Sequence, residues 1–284
     1  GFFSALTASL TGSRFIYFCM DLHPEIAQIS GDFSNRLLFR FLRRLDDWSC
    51  QQAKPIIVHS GDMQNTLRQR TNGAQYDIQI INNFALPTDP ASSNAAIDLK
   101  IQQNKLTMIY AGNIGRFQGL EMMIDVMVKL KDRSDIELIV MGNGVAKDSL
   151  RKRAKSAQAN VRFFDHQPID VAKNAIYQAD IGIISLCNGV YQYAFPSKLM
   201  AYLEQGKPII AIVESSSQLA CDISKKGYGY SVPFSDMEGL TSLIRDVADN
   251  DCWKPIMRQA ALCAFTEEFS AKFILNRWSL LFKK

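Results

Sequence analysis

The chain has 284 residues, 47% of them hydrophobic and 21% charged, with a net charge of +4 at neutral pH. Those values describe an ordinary soluble globular protein with apolar material for a sizeable core, and the charge is too mild to argue for nucleic acid. No apolar run approaches the roughly 18–20 residues of a membrane span.

The start, Gly1-Phe2-Phe3-Ser4-Ala5-Leu6, is apolar but has neither the basic leader of a signal peptide nor an initiating Met, so the chain is expected to begin inside a longer gene product. Strands are predicted at 15–19, 55–59, 78–82, 106–111, 137–141, 161–164, 181–185, 208–213 and 228–232. Most are continuous apolar runs, the appearance of strands buried on both faces. Helical patterns fall between them; Leu120, Met123, Ile124 and Met127 mark one buried helix face. Strand and helix in this alternation predict a doubly wound α/β fold with parallel sheets. The stretch 84–94 is rich in Pro, Ser and Asn and is expected to link two domains. It separates about three βα units from about six, and six with a switch point make a complete Rossmann-like domain. The expected division is 1–90 for an incomplete N-terminal Rossmann-like domain and 91–266 for a complete one. The terminal segment 267–284, with a helix predicted at 271–282, is expected to pack back on the first domain.

Six cysteines (Cys19, Cys50, Cys187, Cys221, Cys252, Cys263) occur without a Cys-x-x-Cys pair, and read as reduced, mostly buried thiols of a cytoplasmic protein. His23, His59 and His166 show no metal-ligand spacing, and no metal is expected.

Two segments carry the sharpest chemical signals. Tyr110-Ala111-Gly112-Asn113-Ile114-Gly115-Arg116-Phe117-Gln118-Gly119 follows a strand and opens a helix. Its glycines let backbone approach a ligand, free N–H groups at a helix start favour an anion, and Arg116 adds a forked donor suited to phosphate. A tight turn alone would give the same glycines. The pattern is not the Gly-x-Gly-x-x-Gly of dinucleotide enzymes. The second segment is Phe195-Pro196-Ser197-Lys198-Leu199-Met200-Ala201-Tyr202-Leu203-Glu204-Gln205-Gly206-Lys207-Pro208. Pro196 and Ser197 open a helix that Gly206 stops. Lys198 in its first turn opposes the helix dipole unless an anion sits there too. Gly142-Asn143-Gly144 reads as a plain turn, and Lys147, Arg151, Lys152, Arg153 and Lys155 as a solvated face.

In this order and spacing the two segments resemble the donor half of a family 4 glycosyltransferase of the two-Rossmann-domain (GT-B) type. The likeness is to the bacterial branch that builds lipopolysaccharide, capsule and exopolysaccharide, including N-acetylfucosaminyl transferases. Asp21-Leu22-His23-Pro24-Glu25 and Ile80-Ile81-Asn82-Asn83-Phe84 also match, so the resemblance covers nearly the whole chain. It implies that Gly112, Asn113, Gly115 and Arg116 cradle the donor diphosphate, with Pro196, Ser197 and Lys198 completing the pocket. His166, Gln167 and Pro168 would present backbone to the nucleotide base. Asp21, His23 and Glu25 fall where the family's N-terminal domain faces the reacting sugar and acceptor. Two glutamates common in the family, eight positions apart, are here Tyr193, still counted with the donor pocket, and Ala201; a usual loop lysine is Gln118.

The resemblance therefore implies transfer of a sugar from a nucleoside diphosphate sugar, UDP-linked, to a lipid-linked or growing glycan, with retention and without metal or other cofactor. Two alternatives stand beside it: a nucleotide-sugar epimerase with Glu25 as acid–base, and a non-catalytic nucleotide-sugar-binding fragment. The helix expected at 35–50 places Arg36, Arg40, Arg43 and Arg44 among Leu37, Leu38, Phe39, Phe41, Leu42 and Leu45. It reads either as a packed helix with a solvated basic face or as a surface resting on the inner face of an anionic membrane.

Overall fold

A computed structural model describes residues 1–29, 31, 34–70, 76–87, 99–101 and 105–283. The chain divides into two compact units. One comprises Gly1–Asn83, Gly189–Phe195 and Ile274–Lys284, the other Phe84–Asn188 and Pro196–Phe273. The border expected at 90/91, and the linker beyond residue 87, lie outside the described residues.

In the first unit β1 (Tyr17–Phe18), β2 (Ile56–Val58) and β3 (Ile78–Ile80) form a parallel sheet in that order. The helix α1 (Phe2–Thr11) precedes them, α2 (Glu25–Ile29) and α3 (Arg36–Gln52) connect β1 to β2, and α4 (Gly61–Arg70) connects β2 to β3. Asn35 starts α3 by accepting the N–H groups of Leu37 and Leu38 on its side-chain oxygen. Cys19, Leu22, Cys50, Ile56, Val58, Met63 and Leu67 form the core of this unit. The segment Gly189–Phe195 joins it through the Leu22 N–H, which donates to Tyr193 O at 2.8 Å. The ring of Trp278 stands edge-on to Phe18 at 5.5 Å.

The second unit is built on six parallel strands: β4 (Leu106–Ala111), β5 (Ile136–Met141), β6 (Val161–Phe164), β7 (Ile181–Ser185), β8 (Ile209–Ile212) and β9 (Gly229–Val232). Their spatial order is β6-β5-β4-β7-β8-β9, so the order in which strands are added reverses between β4 and β7. The central strands are buried along almost their whole length and mostly apolar because helices cover both faces: α5 (Leu120–Lys129), α6 (Lys147–Ser156), α7 (Ile169–Gln178), α8 (Lys198–Glu204), α9 (Gln218–Lys226), α10 (Met237–Asp249) and α11 (Trp253–Ala264). Met108, Tyr110, Leu138, Val140, Ile183 and Ile210 are fully buried in one cluster, each apolar side chain contributing about 1.5–3 kcal/mol. A last helix, α12 (Ala271–Phe282), closes the chain. Among the described residues, no helix is long and apolar enough to cross a membrane.

The predicted strands all form, shorter by two or three residues in the first unit. The cysteines differ from expectation: only Cys19 and Cys50 are buried, while Cys221 and Cys263 are exposed on helices and Cys252 is exposed just before α11.

Candidate functional site

In an open parallel sheet, ligands bind beyond the carboxyl ends of the strands where the order reverses. Here that point is the loop after β4, residues 112–115. The side chain of Tyr202 on α8 holds it: the Tyr202 hydroxyl accepts the Ala111 N–H at 2.9 Å and donates to Ile183 O at 3.3 Å. The ring fits because β7 has a glycine there; a Cβ on Gly182 would stand 2.6 Å from it. Lys198, one turn earlier on the same helix, is thereby set against the loop. Its Cε lies 3.0 Å from where a Cβ on Gly112 would be, and its Nζ sits 4.6 Å above the Tyr110 ring. The Tyr110 hydroxyl in turn donates to Asn113 O. Burial pushes the Lys198 ammonium down to about 8. No carboxylate pairs with it among the described residues.

The loop does not open α5 directly. Gly115 begins a single 3₁₀ turn, Arg116–Gln118, and Gly119 then starts α5. Asn113 and Arg116 are exposed and Gly115 is buried. A Cβ on Gly115 would lie 2.6 Å from Gln118 Oε1 and 3.1 Å from Asn113 Nδ2, so the loop is closed around it. Pro196 is buried; Ser197 is exposed and caps α8 without a side-chain hydrogen bond.

The turn Gly142-Asn143-Gly144 is more than a turn. The Ile114 N–H donates to Asn143 O, and the Ala146 N–H donates to Ile114 O. Gly142 has φ +148° and Gly144 φ +155°, and a Cβ on either would strike the backbone oxygen of Gly112 at 1.9 Å or of Ile114 at 2.2 Å. These two glycines are the floor on which the 112–115 loop rests. Lys147 also departs from expectation. It is buried, not solvated, and its ammonium donates to Asn143 Oδ1 (2.9 Å), Phe164 O (2.9 Å) and Asp165 Oδ1 (2.6 Å). Its place in the first turn of α6, ahead of a truly exposed basic run, concealed this in the sequence. Beyond Asp165, His166 is exposed and the Gln167 amide donates to Asp165 O at 3.3 Å.

The remaining predicted residues belong to the first unit. Asp21 and His23 have exposed side chains. Lost hydration raises the Asp21 carboxyl above its usual range, with His23 pulling it the other way. Glu25 is buried and fully engaged, one oxygen on Arg43 and the other on Arg70. Arg70 also binds Asp46 Oδ2 at 2.8 Å, and Asp46 accepts the Tyr17 hydroxyl at 2.6 Å. Burial raises the Glu25 carboxyl and the two guanidinium groups partly offset that. Arg43 is therefore not part of a solvated basic face; Arg36, Arg40 and Arg44 are the exposed ones. Tyr193 packs against the core of this unit beside Phe195.

The chain is similar to several known proteins. The chain is 24% identical over 246 residues to the probable glycosyltransferase WbjE of Pseudomonas aeruginosa, covering 84% of this chain and 61% of that protein. It is 31% identical over 150 residues to the putative colanic acid biosynthesis glycosyl transferase WcaI of Escherichia coli K12, covering 52% of this chain and 36% of WcaI. The chain thus spans about three-fifths of one curated relative and just over a third of the other. The structure of Anabaena HepE in complex with UDP superposes with a TM-score of 0.78 at 15% identity, over 99% of this chain and 75% of HepE, and shares its fold, the two-Rossmann-domain GT-B type. Residues 93–261, more than half the chain, match the family Glycosyl transferases group 1, and the chain belongs to that family.

Proposed function

We propose that the chain is the donor-binding part of a glycosyltransferase of bacterial cell-surface polysaccharide synthesis, in the branch that includes N-acetylfucosaminyl transferases. It takes a UDP-linked sugar as donor and a lipid-linked or growing glycan as acceptor, with retention at the anomeric carbon and no metal or other cofactor. One observation carries this reading. Lys198 is half-buried against Gly112 and Tyr110, at a helix start that disfavours a cation and in surroundings that strip part of its hydration, with no carboxylate pairing with it among the described residues. A site that accepts both costs is complementary to a diphosphate. As the glycosidic bond breaks, the leaving diphosphate gains negative charge, and preorganised N–H groups of the 112–115 loop with Lys198 and Arg116 stabilise it. The leaving phosphate can take the acceptor proton itself, which leaves Asp21 and His23 to orient. WcaI, named for colanic acid biosynthesis, and HepE, solved with UDP, support the pathway and the donor.

An epimerase on this fold would need Glu25 free for proton transfer, and both Glu25 oxygens are taken by arginines. Peripheral contact with an anionic membrane fits the first unit, where Phe3, Leu6 and Leu10 of α1 and Leu37, Leu38 and Phe41 of α3 are exposed beside Arg36, Arg40 and Arg44. The test is to incubate the chain with a panel of UDP-sugars, with and without a bacterial lipid-linked glycan extract, and follow UDP release. Release accelerated by the extract is expected. Conversion of the sugar with no UDP released would overturn the reading in favour of epimerisation.

A further inference from the structure

Among the buried ionisable groups, Lys147 has no part in the reading above and has the most specific surroundings. We infer that Lys147 is a positioning residue that fixes the nucleotide-base segment relative to the diphosphate loop, and so sets the preference for a nucleotide over a bare diphosphate. The inference rests on the donor site proposed above.

Three strand ends lie side by side in the sheet: β4, β5 and β6. The diphosphate loop leaves β4, the Gly142–Gly144 turn leaves β5, and the segment Asp165–Gln167 leaves β6. The first two are bonded directly by Ile114 N–H to Asn143 O. Between the second and third the backbone gives one link, Gly142 N–H to Phe164 O at 3.1 Å, after which β6 ends and its chain has no ladder to follow. Lys147 supplies what the ladder does not. All three of its ammonium protons have an acceptor, one on the β5 turn, one on the last residue of β6 and one on Asp165. The pairing also holds the Asp165 carboxyl below its usual range, first through the hydrogen bond to Lys147. An ammonium with saturated donors has none left for a phosphate, so its effect on binding must pass through the segments it ties. Losing it frees Asp165–Gln167, which would present backbone to the base, while the floor beneath 112–115 keeps its own hydrogen bonds and glycine contacts.

Calorimetric titration of the chain with UDP and with inorganic pyrophosphate separates these effects. Lys147→Met is expected to weaken UDP about tenfold, the size of one charged hydrogen bond, with pyrophosphate affinity unchanged. Lys147→Arg should restore most of the UDP affinity, and Asp165→Asn, on an exposed side chain whose loss the fold tolerates, should weaken UDP by a smaller factor in the same direction. Equal losses for UDP and pyrophosphate, or no loss for either, in Lys147→Met and Asp165→Asn would overturn the inference while the donor site stands. A wild-type chain that fails to bind UDP would instead overturn the donor site and the inference together.

Discussion

The first unit gathers Glu25, Asp46, Arg43 and Arg70 into a cluster where each buried charge meets its opposite. The second unit sets Lys198 beside a glycine loop and an aromatic ring, with no ion pair among the described residues. A buried pair is self-contained; its components are costly to separate and offer nothing to a ligand. A partly desolvated cation without an ion-pair partner is the reverse, a cost that a bound anion can return. The comparison teaches that perturbed ionisable groups alone do not locate a site, since both clusters are perturbed. What separates them is whether the protein balances the charge itself.

The largest expected effect breaks the balanced cluster. Arg70→Met leaves Asp46 without its cation and buried Glu25 with Arg43 alone, and should cost about 3–5 kcal/mol in denaturant unfolding. UDP affinity, measured where the variant is folded, should stay at the wild-type value. A large loss of UDP binding would merge the two clusters into one function and undo the distinction. Next comes the floor of the donor loop. Gly142→Ala forces an unfavourable φ and drives a methyl group into Gly112 O, for which a destabilisation on the order of 3 kcal/mol and abolished UDP binding are expected.

A third test uses a second group that lacks a partner. His59 is buried with both ring nitrogens unbonded, and burial pushes its imidazole from 6.5 down to about 4. The fold thus keeps it neutral. As pH falls below 6.5 the unfolded chain gains a proton that the folded chain refuses, so stability declines until about pH 4 and then levels off. The loss over that window is roughly 3 kcal/mol, and thermal melts from pH 7 to 4 should show it flattened in His59→Leu. Unlike Lys198, His59 is sealed against the Phe18 ring, so UDP should not alter this profile.

Much of this was legible in the sequence. Strands buried on both faces are continuous apolar runs, and the six-strand sheet could be placed almost residue by residue from Leu106 to Val232. The loop at Gly112 and the helix start at Lys198 were visible for the same reason, because turn glycines and cap residues are local signals. What stayed hidden is what depends on distant partners. Glu25 meets Arg70 forty-five positions away, and nothing local marks it as already neutralised. Tyr193 and its neighbours pair with Leu22, which moves 189–195 into the other unit. Gly142 and Gly144 declare a turn but not the positive φ or the backbone beneath it. Lys147 looks like its exposed neighbours, although its first-turn side chain runs back toward the helix start and onto Phe164 and Asp165.

Calorimetry of UDP against the wild-type chain and Lys198→Met from pH 6 to 9.5 asks whether Lys198 takes up a diphosphate. Lys198→Met is expected to weaken UDP by about 1.5–3 kcal/mol at pH 7. Because the ammonium is charged below about 8, wild-type affinity should fall as pH rises through that value, and the variant should show no such fall. Equal affinities for the two proteins across the whole range would contradict that uptake.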